Sequence, residues 1–306
     1  MSFNEELNSK VEYVNDVLSR YAILPVEGYQ KTVLDAMNYS IKAGGKRLRP
    51  LLMFEAYRLF GGEEDVIEPF MAAIEMIHTY SLVHDDLPCM DDDEYRRGRK
   101  TTHAVYGEGM AVLAGDALLN YAIETACKAF DKLNVLQSNE YSARSIGRAI
   151  SILVGKSGIN GMIGGQCADI EAENLPADQM TEDRILYIHE HKTAALIQDA
   201  LMIGAVLAGA NEMNLAKIER VGYNIGLAFQ IQDDILDVTS TTEVLGKPVG
   251  SDEKNGKTTY VTINGLEKSK ADVKALSEEA VELLKDLGEG NEFLSELILY
   301  LVDRTK

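Results

Sequence analysis

Apolar residues recur along this chain at spacings of three and four, which is the repeat of an amphipathic α-helix. Sustained alternation of apolar and polar residues, the pattern of a β-strand, is absent from the sequence. Prolines and Gly-Gly pairs fall near predicted helix starts or in loops. The pattern therefore predicts an all-α protein. No solenoid repeat or change of composition divides the chain, so we predict one domain over residues 1–306.

One predicted helix carries polar residues at its end. Its stripe follows spacings of four and three and consists of Ile67, Met71, Ile74, His78, Ser81 and Asp85. Taken alone, His78 fits a core helix whose last turn reaches water. The acidic run that follows favours a functional interpretation instead.

The first acidic cluster places six acidic residues within ten positions, from Asp85 to Glu94. Such carboxylates repel one another unless cations neutralise them. Mg²⁺ suits the cluster, because this ion takes one or two protein carboxylates together with water and phosphate oxygens. A calcium-binding EF-hand loop is disfavoured, since the alternating Asp/Asn positions, central Gly and terminal Glu are missing.

A second acidic cluster lies within an apolar segment. Gln230, Asp233, Asp234 and Asp237 are three or four residues apart, so a helix would bring them to one face. A solvated face would account for one or two of these acids, but the flanking residues are apolar. A buried carboxylate is expected only where a partner group or a metal ion pairs with it.

The overall charge restricts the partners. The 306 residues carry a formal net charge of −19, which disfavours nucleic acid and anionic membrane surfaces. No apolar stretch reaches the roughly 20 residues of a membrane span, and no secretory signal is visible, so we expect a cytoplasmic protein. The sparse cysteines predict free thiols.

Basic residues are nevertheless concentrated at 46–49 and 96–100. Two glycines before Lys46 would let the backbone approach an anion, to which Lys46 offers a point charge and Arg49 a planar fork. The spacing is not that of a nucleotide P-loop. Arg96 and Arg97 directly follow the first acidic cluster, as a metal-bridged diphosphate site requires.

Taken together, these motifs resemble those of the trans-isoprenyl diphosphate synthases over about residues 40 to 260. The motifs are Gly44–Pro50, Asp85–Asp91, Arg96–Gly98, Gly165-Gln166, Lys192-Thr193 and Phe229–Asp237. The chain is most similar to bacterial farnesyl diphosphate synthases, because four residues separate Asp86 from Asp91 and the stretch begins with Tyr80. The resemblance implies a bundle of ten or more helices around a central cavity, the isoprenoid synthase fold, in a homodimer.

The resemblance also implies roles for individual residues. Three Mg²⁺ ions, which Mn²⁺ could replace, would lie between the two aspartate motifs. Their ligands would be Asp85, Asp86, Asp91 and Asp233. Isopentenyl diphosphate would bind Lys46, Arg49, His78 and Arg97, and the allylic dimethylallyl or geranyl diphosphate would bind Arg96. Lys192, Lys247 and Lys257 would assist the leaving diphosphate.

In the implied reaction, the allylic carbon–oxygen bond breaks and isopentenyl diphosphate attacks the resulting cation. Oxygens of Lys192, Thr193 and Gln230 would steady that cation, while metals and basic side chains stabilise the diphosphate. Tyr80 and Ser81 would line the cavity for the growing tail, and an aromatic residue at position 80 implies the fifteen-carbon (2E,6E)-farnesyl diphosphate.

Three alternatives remain open at this stage. A geranylgeranyl or longer-chain synthase would share every metal and diphosphate motif. A terpene cyclase would not need the site at Lys46, Arg49 and His78, and the absence of Trp disfavours its aromatic-lined pocket. A non-catalytic metal-binding subunit is disfavoured because both aspartate motifs are intact.

Overall fold

The computed structural model describes residues 2–23, 27–63, 65–133, 140–173, 175–176, 179–239, 258–288 and 292–302. The chain divides into two compact units. The first comprises Met1–Phe54 and Glu63–Ile150, and the second comprises Glu55–Gly62 and Ser151–Lys306. Within the described residues, no helix is both long and apolar enough to cross a bilayer.

The helices of the first unit precede residue 151. They are α1 (Phe3–Arg20), α2 (Lys31–Ile41), α3 (Leu48–Leu59, shared with the second unit), α4 (Glu68–Asp85), α5 (Thr102–Tyr106), α6 (Glu108–Cys127) and the start of α7 (Glu140–Ser157), with 3₁₀ turns at Asp65–Ile67 and Lys128–Lys132. One antiparallel ribbon joins β1 (Tyr95–Arg96) to β2 (Arg99–Lys100). Arg97 and Gly98 have φ values of 53° and 73°, which suit its tight turn.

Helix α4 forms the core of the first unit. Pro69 lies in its first turn, where a missing N–H does no harm, and Phe70, Met71 and Ile74 are fully buried. Helix α6 packs against α4, and Gly115 of α6 faces the imidazole of His84. A side chain at position 115 would collide with that ring.

The second unit contains the remaining helices, including the two longest that the structure describes. They are α8 (Met162–Glu173), α9 (Glu182–Ile188), a π-helical turn (His189–Ala194), α10 (Ala195–Leu207), α11 (Glu212–Thr239), α12 (Tyr260–Asn264), α13 (Leu266–Leu287) and α14 (Glu292–Val302). Helix α11 packs against α10 and α13. Ile231, Ile235 and Val273 belong to one buried apolar cluster of this unit.

Three glycines let helices approach the π-helical turn and α10 closely. A Cβ at Gly165 would overlap the backbone of Lys192, and one at Gly226 would overlap Ala194. At Gly222 it would lie 2.7 Å from the Cα of Gln198. Larger residues at these positions would push α8 and α11 away from the residues that the sequence predicts to be functional.

The all-α prediction is confirmed, and the single short ribbon is the only β-structure in the part of the chain that is described. The polar stripe ends at Asp85, the last residue of α4, as predicted. Cys89, Cys127 and Cys167 are free thiols, also as predicted. The single domain and the central cavity stay predictions.

Candidate functional site

The first aspartate motif lies where α4 ends. Leu87 donates its N–H to the carbonyl of His84 at 3.1 Å, and Asp91 donates its N–H to the carbonyl of Asp85 at 2.9 Å. The chain thus folds back, so that the four residues between Asp86 and Asp91 form a turn rather than a further helical segment. Asp91 is exposed and Asp85 is half-buried on this turn.

Asp86 has a different environment. Its side chain is buried, and its Oδ1 accepts a hydrogen bond from Nε of Arg96 at 2.6 Å. Burial raises the pKa of Asp86, and Arg96 opposes that rise. The ion pair fixes Arg96 beside the motif, with part of its guanidinium still exposed. The predicted role of Asp86 as a metal ligand stays a prediction.

A basic cleft lies beside this motif in the first unit. Its lining includes Gly44, His78, Asp86, Arg96 and Arg97. Arg97 donates from Nη1 to the carbonyl of Gly44, which joins the glycine-rich loop to the β-ribbon. The structure therefore brings together residues from three of the predicted motifs.

The cations in and beside the cleft shift the pKa values of their neighbours. Burial is the main reason that the pKa of Arg49 falls to about 10, while Glu75 opposes the fall and the nearby Arg97 adds to it. Burial also holds the pKa of His78 well below its usual value, assisted by the surrounding arginines. His78 is therefore neutral at physiological pH, while Lys46 is exposed at the loop. This concentration of cations suits an anion with several oxygens.

The predicted chain-length residues lie on α4 one turn before its end. Tyr80 is buried, and its ring meets that of His84 edge-on at a centroid distance of 5.8 Å. Burial, and then the charge of Asp85, raise the pKa of Tyr80 to about 12. Ser81 is half-buried and donates its hydroxyl to the carbonyl of His78 at 3.0 Å.

The second aspartate motif lies in the last three turns of α11. Asp233 is half-buried, whereas Asp234 and Asp237 are buried. Asp234 accepts the backbone N–H of Tyr260 at 2.9 Å and lies 3.8 Å from Nε2 of His189. Asp234 thus joins α11 to the start of α12, which leaves Asp233 as the more accessible carboxylate of the two.

The π-helical turn presents Lys192 and Thr193 within the same unit. The Thr193 hydroxyl donates to Oε1 of Gln230 at 2.9 Å, and Nζ of Lys192 lies 2.5 Å from Oδ2 of Asp169. The structure thus joins three predicted residues of the second unit. Lys247 and Lys257 lie outside the described residues.

The sequence predicted no role for three residues that support the site, Asp169, Glu75 and Arg47. Asp169 holds Lys192, and the buried Glu75 forms an ion pair with Arg47 at 2.6 Å. Two sequence signals were available. Asp169 is three residues beyond Gln166 and so shares its helix face, and Glu75 interrupts the apolar positions of α4 three residues before His78.

The comparison with protein families decides the identification. Residues 30–294 match the family model described as polyprenyl synthetase. The chain belongs to this family. It is therefore a prenyltransferase of the trans-isoprenyl diphosphate synthase type, with the predicted isoprenoid synthase fold.

Individual relatives include more than one kind of polyprenyl synthetase. The farnesyl diphosphate synthase of Escherichia coli K12 is 41% identical over 100% of both chains. A putative chloroplastic geranylgeranyl pyrophosphate synthase 8 of Arabidopsis thaliana is 44% identical over 90% of this chain and 74% of its own length. Among solved structures, a geranyltransferase from Helicobacter pylori, complexed with magnesium and isoprenyl diphosphate, is 32% identical, with a TM-score of 0.80 over 99% of this chain and 97% of that one.

Proposed function

We propose that this polyprenyl synthetase is a Mg²⁺-dependent (2E,6E)-farnesyl diphosphate synthase. It would condense isopentenyl diphosphate head to tail with dimethylallyl diphosphate and then with geranyl diphosphate. The observation that carries the proposal is the basic cleft, in which His78, Arg96 and Arg97 converge beside an aspartate motif. A terpene cyclase would have no need for a second diphosphate site at this cleft.

The basic cleft suits isopentenyl diphosphate, the substrate that keeps its diphosphate. Arg49 and Arg97 are guanidinium groups that can bind phosphate oxygens in pairs, and Lys46 adds an exposed ammonium. His78 is neutral, so it can donate one hydrogen bond without adding charge. These four residues would hold the diphosphate while leaving the apolar end of the molecule to react.

The aspartates suit Mg²⁺ by their oxygen donors. Among the described residues, no three His, Cys, Asp or Glu side chains are grouped closely enough to hold a metal alone. Mg²⁺ commonly takes one or two carboxylates and completes its shell with water and substrate phosphates. We propose Asp85, Asp91 and Asp233 as ligands, with Asp86 in support, for three Mg²⁺ ions that Mn²⁺ could replace. When bound, these ions would neutralise the negative charge of the leaving diphosphate.

The side chains of the second unit suit the formation of an allylic cation. Because Thr193 donates its hydroxyl proton to Gln230, its oxygen lone pairs remain available to a cation. Lys192 is oriented by Asp169, and its ammonium would stabilise the departing diphosphate. The double bond of isopentenyl diphosphate then forms the new carbon–carbon bond with the cation. The product forms when a proton passes to the released diphosphate.

Product length is the finer part of the proposal. The buried Tyr80, with Ser81 beside it, is a suitable floor for a cavity that stops the chain at fifteen carbons. We expect Tyr80→Ala to yield products longer than farnesyl diphosphate, measured by chromatography of the dephosphorylated alcohols. Tyr121→Ala, which removes a half-buried tyrosine from α6, is the matched control. Unchanged product length in Tyr80→Ala would refute the floor assignment.

Geranylgeranyl diphosphate is the second candidate product, because relatives include synthases of both products. The test is incubation of the full chain with radiolabelled isopentenyl diphosphate, Mg²⁺ and either dimethylallyl or geranyl diphosphate. Farnesyl diphosphate as the end product, with loss of incorporation in chelator, would support the proposal. A twenty-carbon end product would favour the second candidate, and no incorporation would favour a non-catalytic subunit. The homodimer stays a prediction.

A further inference from the structure

The loop from Gly44 to Arg47, which leads into α3, has a backbone shape that requires support. Gly44 has a φ of 82°, and Arg47 has a φ of 50°, which is uncommon for a residue with a side chain. A Cβ at Gly45 would lie 2.6 Å from Nη1 of Arg97, so this glycine leaves room for the guanidinium. The loop that presents Lys46 and leads to Arg49 on α3 is therefore held in a conformation that the backbone of Arg47 does not favour.

The Arg47 side chain supplies that support. Its Nη1 donates to Oε1 of Glu75 at 2.6 Å, its Nη2 donates to the carbonyl of Ile41 at 3.1 Å, and its Nε donates to Oδ1 of Asn15 at 3.1 Å. The side chains of the ion pair are 8% and 5% exposed. Arg47 is thus directed inward, away from any ligand, although it lies between two residues assigned to the substrate.

Glu75 is an acid beside a cleft that is proposed to bind an anion. It lines this cleft, and its charge raises the pKa of both Arg49 and Arg97. A carboxylate in this position repels a diphosphate through space. Its presence needs an explanation other than direct attraction of the substrate.

We propose that Arg47 and Glu75 are positioning residues, whose buried ion pair holds the Gly44–Arg47 loop and the start of α3 so that Lys46 and Arg49 meet the diphosphate of isopentenyl diphosphate. This inference rests on the proposed function of the basic cleft. A pure charge effect and a positioning effect predict opposite results. Removing the charge of Glu75 should strengthen diphosphate binding in the first case and weaken it in the second.

The test is the steady-state kinetics of Glu75→Gln, with isopentenyl and geranyl diphosphates varied in turn. We expect the KM for isopentenyl diphosphate to rise about tenfold or more, a change typical of one lost well-formed contact. The kcat at saturation and the KM for geranyl diphosphate should change about twofold or less. An unchanged or lower KM for isopentenyl diphosphate would overturn the inference.

Arg47→Lys is the second variant, and it carries the test if Glu75→Gln does not fold. Lysine keeps the charge but cannot serve three acceptors in a planar fork, so the same rise in KM is expected. The double variant should lose no more than either single variant, because both changes break one pair. Additive losses would contradict the proposal. Glu75→Asp, which keeps the carboxylate, should recover part of the affinity.

Glu68→Gln is the matched control. Glu68 is also a buried acid on α4, about two turns before Glu75, and it pairs with Arg20 at 3.0 Å and not with Arg47. Its loss should lower the melting temperature without changing the KM for isopentenyl diphosphate. An equal rise in KM in this control would mean a general weakening of α4 and would overturn the inference. If the wild-type chain condenses no isopentenyl diphosphate, the proposed function itself fails.

Discussion

The two aspartate motifs are built on different supports. The first begins at the end of α4 and continues into a turn, which the Asp91 N–H closes onto the Asp85 carbonyl at 2.9 Å. The second lies within α11, a helix of 28 residues, and its neighbouring acid Asp234 accepts a backbone N–H from Tyr260. The spacing of acids is therefore set by a turn in one motif and by the helical repeat in the other.

This difference shows what each motif can tolerate. The turn carries exposed carboxylates, so a longer side chain there extends into solvent, and its buried Asp86 is compensated by Arg96. The helix packs on both sides and fixes the direction of Asp233, which cannot adjust without disturbing α11. We therefore expect the first motif to respond weakly, and the second strongly, to small changes in geometry.

The largest predicted effect separates Asp233→Glu from Asp91→Glu. One added methylene moves the carboxylate of residue 233 by about 1 Å or more on a fixed helix, which should lower kcat/KM about 100-fold. The exposed turn at residue 91 should absorb the same change within about tenfold. Both values come from initial rates at saturating Mg²⁺. Equal losses of kcat/KM in the two variants would show that it does not matter whether a turn or a helix carries the aspartate.

A smaller effect is predicted for Thr193→Val, which keeps the shape of the side chain but removes the hydrogen bond to Gln230. We expect kcat to fall about tenfold, because a polar oxygen loses its partner and the cation loses a dipole. The KM for isopentenyl diphosphate should be unchanged, since that substrate is assigned to the first unit. Thr193→Ser should restore most of kcat, and failure to do so would argue for a packing role.

The two units should also differ in how acid affects their stability. In the second unit, Asp199 is fully buried, and neither carboxylate oxygen has a hydrogen-bond partner among the described residues. Burial raises the pKa of Asp199 well above its usual value, opposed by Lys156. The folded protein thus holds a proton that the unfolded chain releases, so the free energy of unfolding falls as the pH rises through that raised pKa.

Asp199→Asn removes this loss of unfolding free energy, because asparagine has no proton to release. We expect its melting temperature to exceed that of the wild type by about 4 °C at pH 8, which corresponds to about 1–2 kcal/mol. The gain should shrink towards pH 4.5, because Asp199 stays protonated in the folded state while the unfolded aspartate, with an ordinary pKa of about 3.9, comes closer to taking up a proton itself. Calorimetry at both pH values checks this, and a gain that is equal at both would contradict the assignment.

The smallest predicted effect concerns His78 in the first unit. Here the free energy of unfolding changes with pH in the opposite direction. The pKa of His78 is held well below 6.5 in the folded protein, so the unfolded chain takes up a proton that the folded state refuses. The free energy of unfolding should therefore fall as the pH drops below about 6.5. We expect His78→Gln to lose about 2 °C less than the wild type between pH 8 and pH 5. An equal loss would place the acid sensitivity elsewhere.

The sequence predicted what local spacing determines. The stripe that ends at Asp85 and the relation of Gln230 to Asp233 both follow from the helical repeat, and both are found. The pairs Arg47–Glu75 and Lys192–Asp169 could not be predicted in this way, because they join residues 28 and 23 positions apart. Only the packing of helices brings these partners together.

The environments of neighbouring acids were also beyond the sequence pattern. Asp233 and Asp234 are adjacent in a run of acids, and nothing in the spacing separates them. The structure makes Asp234 a partner of the Tyr260 backbone and leaves Asp233 half-buried. The direction of each side chain depends on what lies opposite α11, which the helical repeat alone does not specify.

The π-helical turn at His189–Ala194 has a consequence for how this chain can change by mutation. Ala195 donates its N–H to the carbonyl of Glu190, five residues back, so the turn contains one residue more than an α-helical turn. Deleting a single codon here would restore a regular helix, and the residues within the turn would then point in other directions. Thr193 would then point away from Gln230, or Ala194 would point away from Gly226. Insertions and deletions that a surface loop tolerates should therefore be eliminated by selection at this turn.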